Sequence, residues 1–272
     1  MATETTDAFG AVASIASAPA LLVALDFDGT VAPLVDDPST SRVTPVAAAA
    51  IARLRALPNT WVAFVSGRPL ESLARLTRTD ADGRPDPDAL LVGSHGVEVS
   101  TGGELAELGL SAEERARMDR LEAALAPIVA AVPEARLEHK PVGYGVHSRR
   151  VADTSLVPGL QAAAREAARS IGGFTERDGK DIVEFSVRDV DKGDGVRMLR
   201  ELLAGRTGAE VTVLYAGDDV TDEDAFAVLE PADLGVKVGE GETRASSRVA
   251  DVPTFAALLT RLAAARAASV TA

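Results

Sequence analysis

Cysteine is absent from the 272 residues. Disulfides, thiol nucleophiles, iron–sulfur clusters and thiolate zinc sites are thereby excluded. Histidine is nearly as scarce, with His95, His139 and His147 the whole supply. Any metal is then expected to be a hard cation on carboxylates, Mg2+ or Ca2+ rather than Zn2+. Aromatics make up only 4% of the chain, so the core must be built chiefly from Ala, Val and Leu. Basic residues are in deficit, 28 Lys and Arg against 41 Asp and Glu, a formal net charge of −13. Such a surface repels a phosphate backbone, so no nucleic-acid partner is expected. A small anionic substrate would have to be met by a few local cations. The N-terminal apolar stretch has an acidic start and no basic flank, and it is too short to span a bilayer before Asp26 and Asp28. The expectation is a soluble, cytoplasmic protein with no membrane partner.

What is present is the balance of a globular protein, 46% hydrophobic and 25% charged, with length for one large domain or two. Residues 21–25 (LLVAL) form a continuous apolar run that stops in DFDGT, the pattern of a strand buried on both faces. A helical stretch with Pro45 near its start follows, then the buried run WVAFV ending in Ser66-Gly67-Arg68. LARLTR continues as helix, 80–88 reads as a surface loop, and LLVGSHGVEVS reads as a third short strand with a turn inside it. This alternation predicts an α/β fold, a Rossmann-like parallel sheet with helices on its faces. Ligands in such sheets sit at the carboxyl ends of the strands, where Asp26, Asp28 and Ser66 fall.

From about residue 109 the texture changes. Ser111 and Glu114 stand in capping-box spacing and start a helix. A Gly-linked strand pair, a second helix and the alternating strand KDIVEFSV follow, which suggests a smaller α+β module inserted into the first domain. After Asp191 the original style resumes, with a helix, the buried strand VTVLY ending in AGDD, a short helix from Asp222, the run LGVKVG and an Ala-rich terminal helix. The boundaries read as 1–107 for the first part of the core, 108–187 for the insert and 188–272 for the remainder.

Chemistry is concentrated at four places. In Asp26-Phe27-Asp28-Gly29-Thr30 the two acids share a face, and Gly29 lets the backbone bend close to a ligand. Two adjacent carboxylates repel unless a cation sits between them or one is protonated. One can serve as a nucleophile that forms a phospho-aspartate, the other as a general acid for the leaving oxygen. In AGDDVTDEDAF, helix capping accounts for the acids from Asp222 onward but not for Asp218 and Asp219 at the strand end. Asp218 is read as a Mg2+ ligand, Asp219 and Asp222 as ligands or as partners of ligands. Ser66, Gly67 and Arg68 form a turn whose hydroxyl and N–H groups can hold phosphate oxygens. Lys192, in Asp191-Lys192-Gly193, is the nearest cation available to balance the carboxylates and a phosphate dianion.

The ordered set DFDGT, SGR, DKG and GDDVTDEDAF resembles the four motifs of the haloacid-dehalogenase-like phosphatase superfamily, and the insert resembles the α+β cap of its sugar-phosphatase branch. Within that branch the chain is most similar to the trehalose-6-phosphate phosphatases, through DFDGTVAPLVDDP, GSHGVE at 93–98, Glu138 and Lys140, Arg149, and Lys180 with Glu184. The resemblance implies a phosphomonoester hydrolase of trehalose biosynthesis that takes a sugar phosphate. Asp26 would be the nucleophile and Asp28 the acid–base. Mg2+ would be held by Asp26, the main-chain carbonyl of Asp28 and Asp218. Ser66 and Lys192 would hold the phosphoryl oxygens, with Gly67 in the same turn. Arg68, His95, Glu138, Lys140, Arg149, Lys180 and Glu184 would meet the substrate, although His95 can equally cap a strand. The implied alternatives are phosphatases of sucrose, mannosylglycerate or glucosylglycerate phosphate, a phosphohexomutase, or a sugar-phosphate sensor without catalysis. Ser148 departs from the family, which often has an aromatic residue between His147 and Arg149.

Overall fold

Asp7 opens the described chain as a helix cap: its carboxylate accepts from Phe9 N at 3.1 Å, and with Thr6 it forms a two-residue strand. The computed structural model describes residues 6–77, 89–101, 105–107, 110–179 and 181–270. In chain order the elements are β1 (Thr6–Asp7), α1 (Ala8–Ile15), β2 (Ala20–Leu25), α2 (Pro45–Arg55), β3 (Thr60–Val65), α3 (Leu70–Thr77), β4 (Leu90–Gly93), β5 (Glu98–Thr101) and β6 (Leu105–Glu107). They continue with α4 (Ala112–Ala130), β7 (Arg136–Lys140), β8 (Gly143–His147), α5 (Val157–Ile171), β9 (Thr175–Gly179) and β10 (Ile182–Ser186). The chain finishes with α6 (Lys192–Thr207), β11 (Val211–Gly217), α7 (Asp222–Phe226), β12 (Leu234–Val238), β13 (Ser247–Val249) and α8 (Val252–Val270). It divides into two compact units, Met1–Glu107 with Asp191–Ala272, and Leu108–Val190.

In the first unit nine strands form one sheet in the order β1-β13-β12-β11-β2-β3-β4-β5-β6. Every pairing from β1 to β4 is parallel, and β5 and β6 add an antiparallel edge. The α/β expectation is met. Strand alternation explains the three layers. Leu21, Val23 and Leu25 of β2 pack into a core with α1, α2 and α8, while Ala20, Leu22 and Ala24 face a second core with α6 and α7. The chain runs outward from β2 through β3 to β4 and later returns at β11 on the other side of β2. The strand order therefore reverses between β2 and β11, which makes their carboxyl ends the switch point where open α/β sheets bind ligands.

Local chemistry fixes the helix ends. Asp191 and Asp194 close a capping box at α6, and Gly208 ends that helix in the left-handed region at φ 66°. Arg266 on α8 is almost wholly buried, and burial lowers its pKa. It is satisfied by Thr60 Oγ1 at 3.0 Å and by the carbonyls of Ala16 and Asn59 at 3.1 and 3.0 Å. These bonds tie α8 to the turns that lead into β2 and β3, and they offset the cost of desolvating the charge.

The second unit has an antiparallel sheet, β7-β8-β10-β9, with α4 and α5 on one face. Tyr144, Val146, Val183 and Phe185 fill the interface with those helices. The capping box at α4 is formed as its spacing predicts, with Ser111 Oγ accepting from Glu114 N at 3.2 Å and Glu114 Oε2 accepting from Ser111 N at 2.7 Å.

The structure departs from the sequence reading at several elements. LLVGSHGVEVS is two antiparallel strands, because Ser94 and His95 both take left-handed φ, 47° and 57°, and reverse the chain. The helix from Asp222 ends at Phe226, and β9, α1 and β1 are additions. No helix among the described residues is long and apolar enough to cross a membrane.

Candidate active site

β2 is buried along its whole length, and its backbone ladder continues one residue further through Asp26 N, which donates to the Ala216 carbonyl at 2.9 Å. The chain then turns sharply. Gly29 N donates to the Ala32 carbonyl at 2.8 Å and Ala32 N to the Phe27 carbonyl at 3.0 Å. Phe27 points inward and meets Phe64 edge-on, leaving Asp26 and Asp28 on the opposite side. Gly29 has φ 76°, and a Cβ there would lie 2.0 Å from Asp218 Oδ2. This glycine supplies both the turn and the close approach that seats Asp218 beside the loop.

Asp26 is buried, and its Oδ1 accepts from Lys192 Nζ at 2.8 Å. Lys192, the first residue of α6, is equally buried and donates also to Asp222 Oδ1 at 2.7 Å. The same oxygen of Asp222 accepts from Tyr215 Oη at 2.7 Å, and its Oδ2 accepts from Asp219 N at 2.8 Å. Asp222 is thus sealed beneath the surface, and a Cβ on Gly217 would overlap it. Burial pushes the Asp26 carboxyl up to about 7, against the pull of Lys192 and with help from Asp222 and Asp218. Burial likewise raises Asp218 to about 6, aided by Asp222 and Asp219. Burial opposes the charge of Lys192, yet Asp26 and Asp222 hold its pKa above the ordinary lysine value.

Asp26, Asp218 and Asp222 each present an oxygen within 4.8 Å of the others, a group able to hold a metal ion. Across the first unit's acidic centre, Asp26, Asp28, Asp218, Asp219 and Asp222 face Lys192, Arg68 and Lys237. Five carboxylates against three cations leave a formal deficit of two positive charges.

A cleft of about 790 Å³ opens over this centre. Of the predicted residues, Asp26, Asp28, Ser66, Gly67, Arg68, His95, Lys192, Asp218 and Asp219 line it, together with Leu34, Val35 and Thr221. Asp222 lies behind it. Ser66 follows β3, and its Oγ accepts from Arg68 N at 3.2 Å. The His95 ring packs on Gly67, where a Cβ would come within 2.4 Å of Nε2. The 66–68 and 93–96 turns are bonded to each other, His95 N to the Ser66 carbonyl at 3.1 Å and Ser94 N to the Arg68 carbonyl at 2.8 Å. Arg68 itself is paired with Asp28, Nη2 to Oδ1 at 2.6 Å.

Glu138, Lys140, Arg149 and Glu184 belong to the second unit, and Lys180 lies outside the described residues. Glu138 and Glu184 both stand opposite Gly145, on the sheet face away from the helices. Lys140 is ion-paired with Glu184, and His147 Nε2 lies 2.7 Å from Glu138 Oε2. Arg149 is exposed beyond β8.

Among the residues bonded to the centre, Lys237, Tyr215 and Ser41 are not singled out by the sequence. Lys237 of β12 is buried, and its Nζ donates to the carbonyls of Asp218 and Asp219 at 2.6 and 3.4 Å. Its signal was a lone lysine inside the apolar run LGVKVG. Tyr215 ended the run VTVLY and read as core, which it is apart from its hydroxyl.

The trehalose-phosphatase family profile matches residues 24–255. The chain belongs to the trehalose-phosphatase family. Among curated relatives, the trehalose-phosphate phosphatase of Mycobacterium ulcerans is 30% identical over 226 residues, 82% of this chain and 55% of that protein. A trehalose-6-phosphate phosphatase-related protein of Thermoplasma acidophilum is 30% identical over 230 residues, 85% of this chain and 91% of the other. A crystal structure of a trehalose-6-phosphate phosphatase related protein superposes with a TM-score of 0.68 at 27% identity, covering 89% of this chain and 97% of that one. The chain spans about half the length of the mycobacterial relative. The likeness extends the fold assignment to the haloacid-dehalogenase-like class with a cap domain. All four motifs lie within the span the trehalose-phosphatase profile covers.

Proposed function

We propose that this member of the trehalose-phosphatase family is a Mg2+-dependent phosphomonoester hydrolase that converts trehalose 6-phosphate to trehalose and phosphate. The observation that carries the reading is the Asp26 carboxylate at the switch point, one oxygen fixed by Lys192, on the floor of the cleft that it lines. The names of the relatives support the sugar.

The donor set suits a hard divalent cation, since every candidate ligand is oxygen and the centre is short of positive charge. Asp26, Asp218 and the main-chain carbonyl of Asp28 would hold Mg2+. Asp222 is better suited to holding Lys192, because both its oxygens already accept hydrogen bonds. When bound, the ion neutralises the charge that otherwise keeps a phosphate dianion from a carboxylate.

An Asp26 oxygen attacks phosphorus as the bond to the sugar oxygen breaks, and Asp28 gives that oxygen its proton. Asp28 then takes a proton from water as the water oxygen bonds to phosphorus and the bond to Asp26 breaks, freeing phosphate and restoring both side chains. Lys192 and Ser66 stabilise the phosphoryl oxygens through both steps. In this reading residues 108–190 are a cap that recognises the sugar through Glu138, Lys140, Arg149, Lys180 and Glu184. Carboxylates and amines together match hydroxyls that both donate and accept.

Phosphate release from a panel of phosphosugars tests the proposal. Turnover is expected on trehalose 6-phosphate well above sucrose, mannosylglycerate and glucosylglycerate phosphates. Comparable rates on all of them would sink the assignment of the sugar. Asp26→Asn is expected to lose at least about 10³-fold in kcat with the fold intact by circular dichroism. Near-normal turnover in that variant would remove the covalent step.

A further inference from the structure

Arg68 is the one cation of the described cleft bound to a carboxylate through two parallel hydrogen bonds. Its Nε donates to Asp28 Oδ2 at 2.5 Å and its Nη2 to Asp28 Oδ1 at 2.6 Å. The guanidinium is itself held on two sides, by Nη1 to the Pro38 carbonyl at 2.9 Å and by the buried Phe27 ring, 5.4 Å from its centroid. Its backbone is braced by Ser66 Oγ and by Ser94 N. Ser41 Oγ adds a third donor to Asp28, 2.9 Å from Oδ1. Two donors on one oxygen and one on the other fix both the plane and the direction of the carboxylate, which a planar fork achieves and a point charge does not.

We propose that Arg68 is a positioning residue for Asp28, aiming the acid–base carboxylate at the leaving and attacking oxygens, and that it does not bind the sugar phosphate. The inference rests on the acid–base reading of Asp28 above. Its consequence is a dependence on the leaving group. A sugar alkoxide departs only as Asp28 transfers a proton to it while the P–O bond breaks. p-Nitrophenolate departs without a proton. The second step, hydrolysis of the phosphorylated Asp26 with Asp28 taking a proton from water, is common to both substrates.

The test compares Arg68→Ala and Arg68→Lys in the full chain with Mg2+, on trehalose 6-phosphate and p-nitrophenyl phosphate, by rapid-quench and steady-state kinetics. On the sugar phosphate kcat is expected to fall about 10²-fold, with KM within about threefold of wild type. On p-nitrophenyl phosphate a fast burst of p-nitrophenol is expected before a slowed steady state, because only the second step needs Asp28. Lysine should restore little. A raised KM with kcat unchanged would assign Arg68 to substrate binding and overturn the proposal, as would equal loss of the first step on both substrates. Should the Arg68 variants not fold, Ser41→Ala carries the test. It is expected to lower the sugar-to-aryl rate ratio about fivefold, and an unchanged ratio overturns the proposal. Asp28→Asn is the control for the underlying reading. If it slows the two substrates' first steps equally, the acid–base role of Asp28 fails, and that result is distinct from a failure of Arg68 alone.

Discussion

Lys237 supports the acidic turn from behind, without lining the cleft. Its ammonium lies beneath the acidic turn after β11, bonded to the carbonyls of Asp218 and Asp219, and its charge works against the upward push on the Asp218 carboxyl. Lys237→Met would leave those carbonyls without their donor and let Asp218 drift. Partners of metal ligands typically contribute about 10–100-fold to affinity, so the Mg2+ concentration for half-maximal activity should rise by about tenfold, read from a titration of phosphate release. An unchanged titration would mean that the turn is held by its own backbone. The two kinds of residue differ in legibility for a physical reason. Asp26, Asp28 and Asp218 follow apolar runs, where polarity has no packing explanation, and Lys192 stands where the chain re-enters the first unit. Lys237 lies inside such a run and Tyr215 closes one as an aromatic, and in both cases one polar atom on a buried side chain changes nothing in the pattern. Arg68 was visible, but its partner was not, because Asp28 is far away in sequence and only the β2–β3 pairing brings the two turns together.

Among the elements, those whose ends carry their own chemistry could be read from the sequence. α4 is set by Ser111 and Glu114, α6 by Asp191 and Asp194, and α2 by Pro45 with Thr44 as its cap. β9, with sequence TERDG, has no apolar alternation at all. It exists because it forms an antiparallel ladder with β10, and Arg165 pairs with its acids Glu176 and Asp178. Tertiary pairing there overrides a sequence with little strand propensity. The reversal at 94–95 was hidden for a related reason, since two non-glycine residues in left-handed conformation are rare. The cap of α4 also allows a prediction. Glu114 is hydrogen-bonded to Arg188, Nε to Oε1 at 2.8 Å, and that bond with the Ser111 N–H holds its carboxyl down at about 2. A depressed acid contributes stability above its unfolded pKa, about 4.5, and loses it as pH falls toward about 2. Glu114→Gln should therefore be less stable than wild type at neutral pH, and the gap should close across that acid window in thermal unfolding followed by circular dichroism. A gap independent of pH would show that the cap works through geometry alone.

For the molecule as a whole the charge balance of the first unit is the governing quantity. A chain of net charge −13 places five carboxylates at one strand-end switch point and supplies three cations to meet them. Asp26 is pushed up to about 7 and Asp218 to about 6, in both cases first by burial. A raised acid binds its proton more tightly in the folded than in the unfolded state, whose carboxyls titrate near 3.8. Without a divalent ion, the contribution of these two acids to stability should therefore be full near pH 4 and decline as pH rises from about 4 to about 7. On the proposed reading, Mg2+ would compete with those protons and bind the folded site alone. At a concentration about a hundred times its Kd it should add about 2.7 kcal/mol, with the gain growing as pH rises across that window. The measurement is unfolding with EDTA and with Mg2+ across this range, with hydrogen exchange separating residues 191–217 from residues 112–171. Protection by Mg2+ should appear in the first set only, and Asp218→Asn should flatten both the pH decline and the Mg2+ effect. Equal stabilisation of both units, or a Mg2+ effect that ignores pH, would mean that the ion acts on general surface charge and leave the carboxylates of the switch point to be balanced by protons.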